Sequence, residues 1–167
     1  MNALWSYFWP VFAAGVVIGA IAGSIAFRRK GRWRNLPLIA GCALAILVAI
    51  LWHGPLGGAA RFTGEVERSA RSALNYYEMT QVTAQLHREP LTRTLMLAGP
   101  ADDFQRGELV RLMGQLPGVG RARWSSAESG LPLVGEAAGG GVLGFLLGLL
   151  LAYLLELHRR YNAQWKW

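Results

Sequence analysis

Charge is missing from three stretches of this 167-residue chain. Leu4–Phe27, Leu36–Trp52 and Ala137–Leu155 contain no Asp, Glu, Lys, Arg or His. Ion and proton pathways across a bilayer normally need such groups at membrane depth, which argues against a transporter, pump or proton-conducting subunit acting alone. Cysteine is nearly absent as well. The single Cys42 sits inside the second run, so there is no disulfide framework and Cys42 reads as a small packing residue. His53, His87 and His158 belong to a run end, a strand pattern and the tail, too scattered to converge on one metal. Lysine is scarce: only Lys30 and Lys166 among 17 basic residues, the rest being arginine. With abundant Gly and Ala, this hints at a GC-rich bacterial genome.

What charge there is lies in telling places. The net charge is +7 and the isoelectric point about 10.3, values that suggest a nucleic-acid partner until position is considered. Arg28, Arg29, Lys30, Arg32 and Arg34 crowd the loop between runs one and two, with no acid among them. Arg159, Arg160 and Lys166 follow run three, against Glu156. From Gly54 to Glu136 nine arginines balance nine acids. A neutral insert offers no basic footprint, so nucleic acid is not an expected partner. Lys and Arg beside membrane spans stay cytoplasmic. That rule gives an N-terminus and residues 54–136 in the periplasm, with loop 28–34 and the C-terminal tail in the cytoplasm.

The runs have the length for the task. At 1.5 Å per residue they make helices of roughly 36, 25 and 28 Å, against about 30 Å of hydrocarbon. Run one lacks positive charge before it, and the arginine cluster follows it, the reverse of a cleaved signal peptide. Trp5, Tyr7, Phe8, Trp9 and Trp52 fall at the outer ends, while Tyr153, Tyr161, Trp165 and Trp167 lie at or beyond the inner end of run three. Amphipathic rings at such positions form interfacial belts. Small residues recur at helical spacing: Gly15, Gly19 and Gly23; Gly41, Ala45 and Ala49; Gly140, Gly144, Gly148 and Ala152. Such smooth stripes let backbones approach closely where lipid supplies no hydrophobic drive. They serve either packing among these three helices or docking onto the helices of a partner.

In the insert the hydrophobic period changes. Val66, Ala70, Ala73, Leu74 and Tyr77 share one face of a helix over Glu65–Tyr77. Val82, Ala84 and Leu86 alternate with polar residues as a half-buried strand. Leu91, Leu95 and Leu97 suggest a second, with Arg93 as an edge charge, stopping at the turn signal Gly99-Pro100. Asp102 and Gln105 are spaced as a capping box for a helix whose inner face is Leu109, Leu112, Met113 and Leu116, with Phe104 near its start. Gly118 fits a left-handed stop, and Val119–Trp124 reads as a third strand. Two tethers, Gly54–Gly58 and a linker over Ser125–Glu136, hold the insert close to its membrane.

The run Leu95-Met-Leu-Ala-Gly99-Pro-Ala-Asp-Asp103, then Arg106 and a helix closed by Leu116-Pro-Gly-Val119, resembles the BON domain family. That family's pattern is a strand ending in Leu-x-Gly, a helix, and a Gly-Val entry to the last strand. The resemblance spans roughly Phe62–Trp124 and rests on Leu97, Gly99, Gly118 and Val119. It implies attachment to phospholipid or membranes without catalysis. Insertion of a single copy between two spans departs from the family's usual setting of secreted or lipid-anchored envelope proteins.

Other motifs dissolve on inspection. Gly139-Gly-Gly141-Val-Leu-Gly144 matches a dinucleotide fingerprint in letters, but no strand precedes it and it opens an apolar run. Asp102-Asp103 suits a helix start better than an acid pair. The arginine loop can contact anionic headgroups at about 1 kcal/mol per basic residue, although its topogenic role suffices. The expected architecture is therefore a membrane α-helical protein with three transmembrane helices and a small α+β, α-β-β-α-β BON-like domain. Its parts are 1–53, two helices and the basic loop; 54–124, the periplasmic domain; 125–136, the linker; and 137–167, the third helix and basic tail. The expected function is non-enzymatic, without cofactor or metal: a bacterial inner-membrane protein binding phospholipid or a membrane-protein partner, or pairing with itself, in envelope maintenance. The alternative is an accessory or assembly subunit of a larger respiratory, photosynthetic or transport complex, docking through its small-residue faces.

Overall fold

The computed structural model describes residues 2–29, 31–124 and 130–163. Among the described residues three helices are long and apolar enough to cross a membrane: α1 (Ala3–Ala26), α2 (Asn35–His53) and α5 (Leu133–Ala163). A 3₁₀ turn, Gly31–Arg34, precedes α2. Between α2 and α5 lie α3 (Gly58–Tyr76), β1 (Thr83–Arg88), β2 (Leu91–Ala98), α4 (Asp103–Gly114) and β3 (Arg121–Arg123). The helix-strand-strand-helix-strand order of the insert is the one its periodicity predicts. The chain divides into two compact units.

The first unit comprises Met1–Tyr7 and Gly54–Glu136. Its sheet has the order β1-β2-β3, with β1 antiparallel and β3 parallel to the central β2. Ala84 pairs with Leu97 and Leu86 with Leu95, which sets Leu86, Leu95 and Leu97 on one face. Helices α3 and α4 pack on the sheet, α3 through Phe62, Val66, Ala70 and Leu74 at four-residue steps, α4 through Leu109 and Met113. Burying Phe62, Val66, Leu74, Leu109 and Met113 stabilises the unit by about 1.5–3 kcal/mol each, and Ala70 adds less. The capping box forms: Gln105 donates its backbone N–H to Asp102 Oδ1 at 2.7 Å, and Asp102 N–H donates to Gln105 Oε1 at 3.1 Å.

Several boundaries differ from the pattern. Helix α3 begins at Gly58 rather than Glu65, because Gly57, with φ of +74°, turns the chain directly into it. Phe62 thereby enters the core, while Tyr77 falls after the helix and is exposed. Phe104 points outward, 78% exposed, since the capping turn sends the first helical residues to solvent. Arg93 is not an edge charge, because β2 is the middle strand. It is half-buried, donates to the Gly118 carbonyl at 3.2 Å and pairs with Glu136 at 3.3 Å. Of the linker 125–136, residues 125–129 lie outside the described residues. Pro132 bridges to Thr92, and Leu133–Glu136 already form the first turn of α5. The unit's core also takes in Ala3 and Tyr7 from α1 and Leu133 from α5, all buried. Tyr7 packs its ring 5.3 Å from that of Phe62, and Ser6 Oγ donates to Glu65 at 3.1 Å.

The second unit comprises Phe8–His53 and Ala137–Trp167. Its interior is small, centred on Ala22, Ala45 and Phe145, with Ile18, Cys42 and Leu149 packed against them. The outward surface carries Val17, Ile21, Leu44, Leu47, Ile50, Leu143, Leu146 and Leu150. Helices apolar on both sides are suited to lipid rather than water.

Candidate functional site

The small-residue stripes meet one another. A Cβ built on Gly15 would run into the Gly141 carbonyl, and one on Gly19 into the carbonyl of Phe145. From the other side, Gly144 faces the Phe12 carbonyl and Gly148 the Val16 carbonyl, with Ala20 N at 2.6 Å from the Gly148 Cβ position. At Gly23 the neighbour is Ala152 Cβ, 2.7 Å away. Gly41 brings α2 in, its Cβ position 2.8 Å from Ala22 Cβ and 2.9 Å from the Phe145 ring, and Ala45 is buried beside this seam. Gly140 stands aside, with only the Phe8 ring at 3.9 Å, and Gly141 takes the place that strict four-residue spacing assigned to it. The reason is geometric: a helix repeats every 3.6 residues, so steps of four drift off the seam and one step of three restores it.

The residues carrying the BON resemblance have structural work in the first unit. Leu97 is buried in β2 and Val119 is buried before β3. Gly99, with φ of +141°, lies where a Cβ would stand 2.6 Å from the Gln81 carbonyl oxygen. Gly118, with φ of +101°, lies 2.6 Å from Val66 Cγ2 by the same construction. Both the backbone angle and the space demand glycine there.

Tyr76 and Tyr77 at the end of α3 and Phe104 at the start of α4 are exposed aromatics of this unit. Tyr76 is 81% exposed and stacks edge-on with Tyr77 at 5.2 Å. The loop Glu78–Val82 lies against Pro100, Ala101, Asp102 and Gln105, next to exposed Phe104. Arg111 donates to Glu108 at 2.8 Å, a bond that raises its already high pKa and keeps a cation near Tyr77. No periodicity argument marks this surface, because residues outside the buried stripe carry no pattern. Nearby, Arg106 covers the Trp124 ring at 5.4 Å from the centroid while its carbonyl accepts from Trp124 Nε1 at 3.1 Å.

The arginines between α1 and α2 belong to the second unit. Arg28 and Arg29 follow α1 and are exposed, and Arg32 and Arg34 belong to the 3₁₀ turn. Lys30 lies outside the described residues, as do Trp165, Lys166 and Trp167. Among the described residues no three of His, Cys, Asp and Glu come together as a metal set. Asp102 is occupied by its capping box, and Asp103 begins α4. The chain as a whole matches no protein-family model, no curated protein and no solved structure.

Proposed function

We propose that this protein is a non-enzymatic adaptor of a bacterial inner membrane, presenting a BON-like module on the periplasmic side and holding phospholipid or a neighbouring protein there. On this reading the N-terminus and residues 54–136 are periplasmic, and loop 28–34 and the tail are cytoplasmic. The order of elements, the mixed three-stranded sheet and the positive φ angles of Gly99 and Gly118 support the BON reading.

One observation favours the adaptor over the accessory subunit. The glycine stripes that would serve as docking faces are already filled by the chain's own helices, α1 against α5 and Gly41 of α2 against both. The outward faces that remain carry branched and long aliphatic side chains, which suit lipid contact. Tyr76, Tyr77 and Phe104 are the surface offered for binding. Aromatic rings give large contact area at low entropic cost and dominate protein and membrane-interface contacts alike.

The test uses full-length protein in native membranes, with Tyr76→Asp and Phe104→Asp combined. Both side chains are exposed, so the variant should keep its fold by circular dichroism. It should lose either the partner cross-linked to wild-type protein or its adhesion of added phospholipid vesicles. A folded variant that retains both would remove this surface from the proposal. A partner lost instead on Gly15→Leu, with the protein itself intact, would restore the accessory-subunit reading.

A further inference from the structure

At the end of the helical unit where α1 stops, the chain builds a partly open cleft of about 690 Å³. Its basic lining comes from three separate places: Arg28 and Arg29 after α1, Arg34 in the 3₁₀ turn, and Arg159 and Arg160 on α5. Among the described residues the one carboxylate in the lining, Glu156, is already engaged, 3.4 Å from Arg159 and 3.0 Å from Arg160. Five arginines against one glutamate among the described residues leave a formal charge of +4. Among the described residues Arg28, Arg29 and Arg34 make no ion pair within 4.0 Å of a carboxylate, and of the three only Arg28 acts electrostatically on Glu156. A concentration of like charge this high is unfavourable in an empty cleft and favourable around an anion.

The geometry points to a bound phospholipid: the cleft takes the phosphodiester headgroup of an anionic lipid. Guanidinium groups match phosphate oxygens in pairs of parallel hydrogen bonds, which ammonium groups cannot do. The arginines that line the cleft from all three places are therefore suited to phosphate. The rest of the lining selects a lipid over a free anion. Phe27 and Tyr153, edge to face at 5.9 Å, and Leu157 give the cleft an apolar wall. The wall continues along α5 into a shallow groove formed by Leu154, Leu157 and Tyr161, with His158 and Arg160 at its rim. A headgroup seated among the arginines can lay an acyl chain along that surface without leaving the depth of the apolar helices. Glu156 positions Arg159 and Arg160 rather than opposing the ligand, because both guanidinium groups still have free donors after pairing with one carboxylate.

This site is separate from the module, and binding measured in detergent does not depend on which way the protein faces. Full-length protein in mild detergent, titrated with phosphatidylglycerol or phosphatidylethanolamine and followed by native mass spectrometry, tests it directly. Wild-type protein should retain phosphatidylglycerol and shed phosphatidylethanolamine. Arg159→Gln with Arg160→Gln should weaken phosphatidylglycerol about thirtyfold, the factor expected from two basic residues near an anionic surface. Arg29→Gln with Arg34→Gln, drawn from the other side of the cleft, should weaken it by a similar factor. Arg68→Gln with Arg71→Gln, on exposed α3, should leave it unchanged. Equal retention of the two lipids, or unaltered binding in both cleft variants, overturns the proposal. So does displacement of phosphatidylglycerol by an equal concentration of inorganic phosphate, which would make the cleft a free-anion site.

Discussion

The same substitution on one helix should have opposite signs at Gly139 and Gly148. Both are α5 residues. Around Gly139 no atom lies within 4 Å of the Cβ position, so Gly139→Ala adds a methyl to open space and removes backbone freedom from the unfolded chain. That change should stabilise by about 0.5–1 kcal/mol. At Gly148 the added methyl meets backbone only: the Val16 carbonyl, Ala20 N at 2.6 Å and Gly19 Cα at 2.9 Å. Backbone atoms cannot rotate aside as a flexible side chain can. Ordinary carbon contacts lie at about 3.5–4.0 Å, so α1 and α5 must part by roughly 1 Å. Overpacking of this kind costs about 1–3 kcal/mol, which outweighs the gain in helix propensity. Full-length protein unfolded with an anionic detergent in mixed micelles, followed by tryptophan fluorescence, reports the difference. A Gly148→Ala protein as stable as Gly139→Ala would refute the close α1–α5 seam.

Tyr7→Ala should loosen the extramembrane unit by about 3–5 kcal/mol, the usual loss for a buried aromatic ring, while Tyr7→Phe keeps most of the packing; hydrogen exchange across Phe62–Leu74 measures it, and unchanged protection in Tyr7→Ala would separate α1 from that core. Single cysteines at Pro100 and Gly31 in a Cys42→Ala background should react with an impermeant thiol reagent on intact spheroplasts only at Pro100, and the reverse labelling would invert the proposed orientation.

The parts legible in the residues are those set by local physics. Spans without charge, the Asp102–Gln105 cap and the alternation of Val82, Ala84 and Leu86 depend on neighbours within a few positions. Glycines at 15, 19, 144 and 148 announced close approach, though which stripe met which needed the fold. What could not be read lies between distant segments. Phe62 fell outside the helix read over Glu65–Tyr77 because nothing local marks Gly57 as a helix entry. Arg93 looked like an edge because strand order is set by where β3 and residues 130–132 return. Tyr7 looked like an interfacial aromatic, and its partner is 55 positions away in sequence. Arg159 and Arg160 looked like a second topogenic cluster; only the fold brings them to the cleft with Arg28 and Arg34.

That Ala3 and Tyr7, Phe62–Ala122 and Leu133 share one core has a consequence for how the protein is made. Loop closure must bring together segments separated by most of the chain before this core is complete. Ala3 and Tyr7 leave the ribosome long before Leu133, so the core stays open during synthesis of everything between them. A nascent chain halted after β3 exposes the surface that Leu133 covers, just when hydrophobic surface is most prone to wrong association. Closure of the extramembrane unit thus coincides with the emergence of α5. The same residues that begin α5 finish the domain, which ties formation of this apolar helix to completion of the fold.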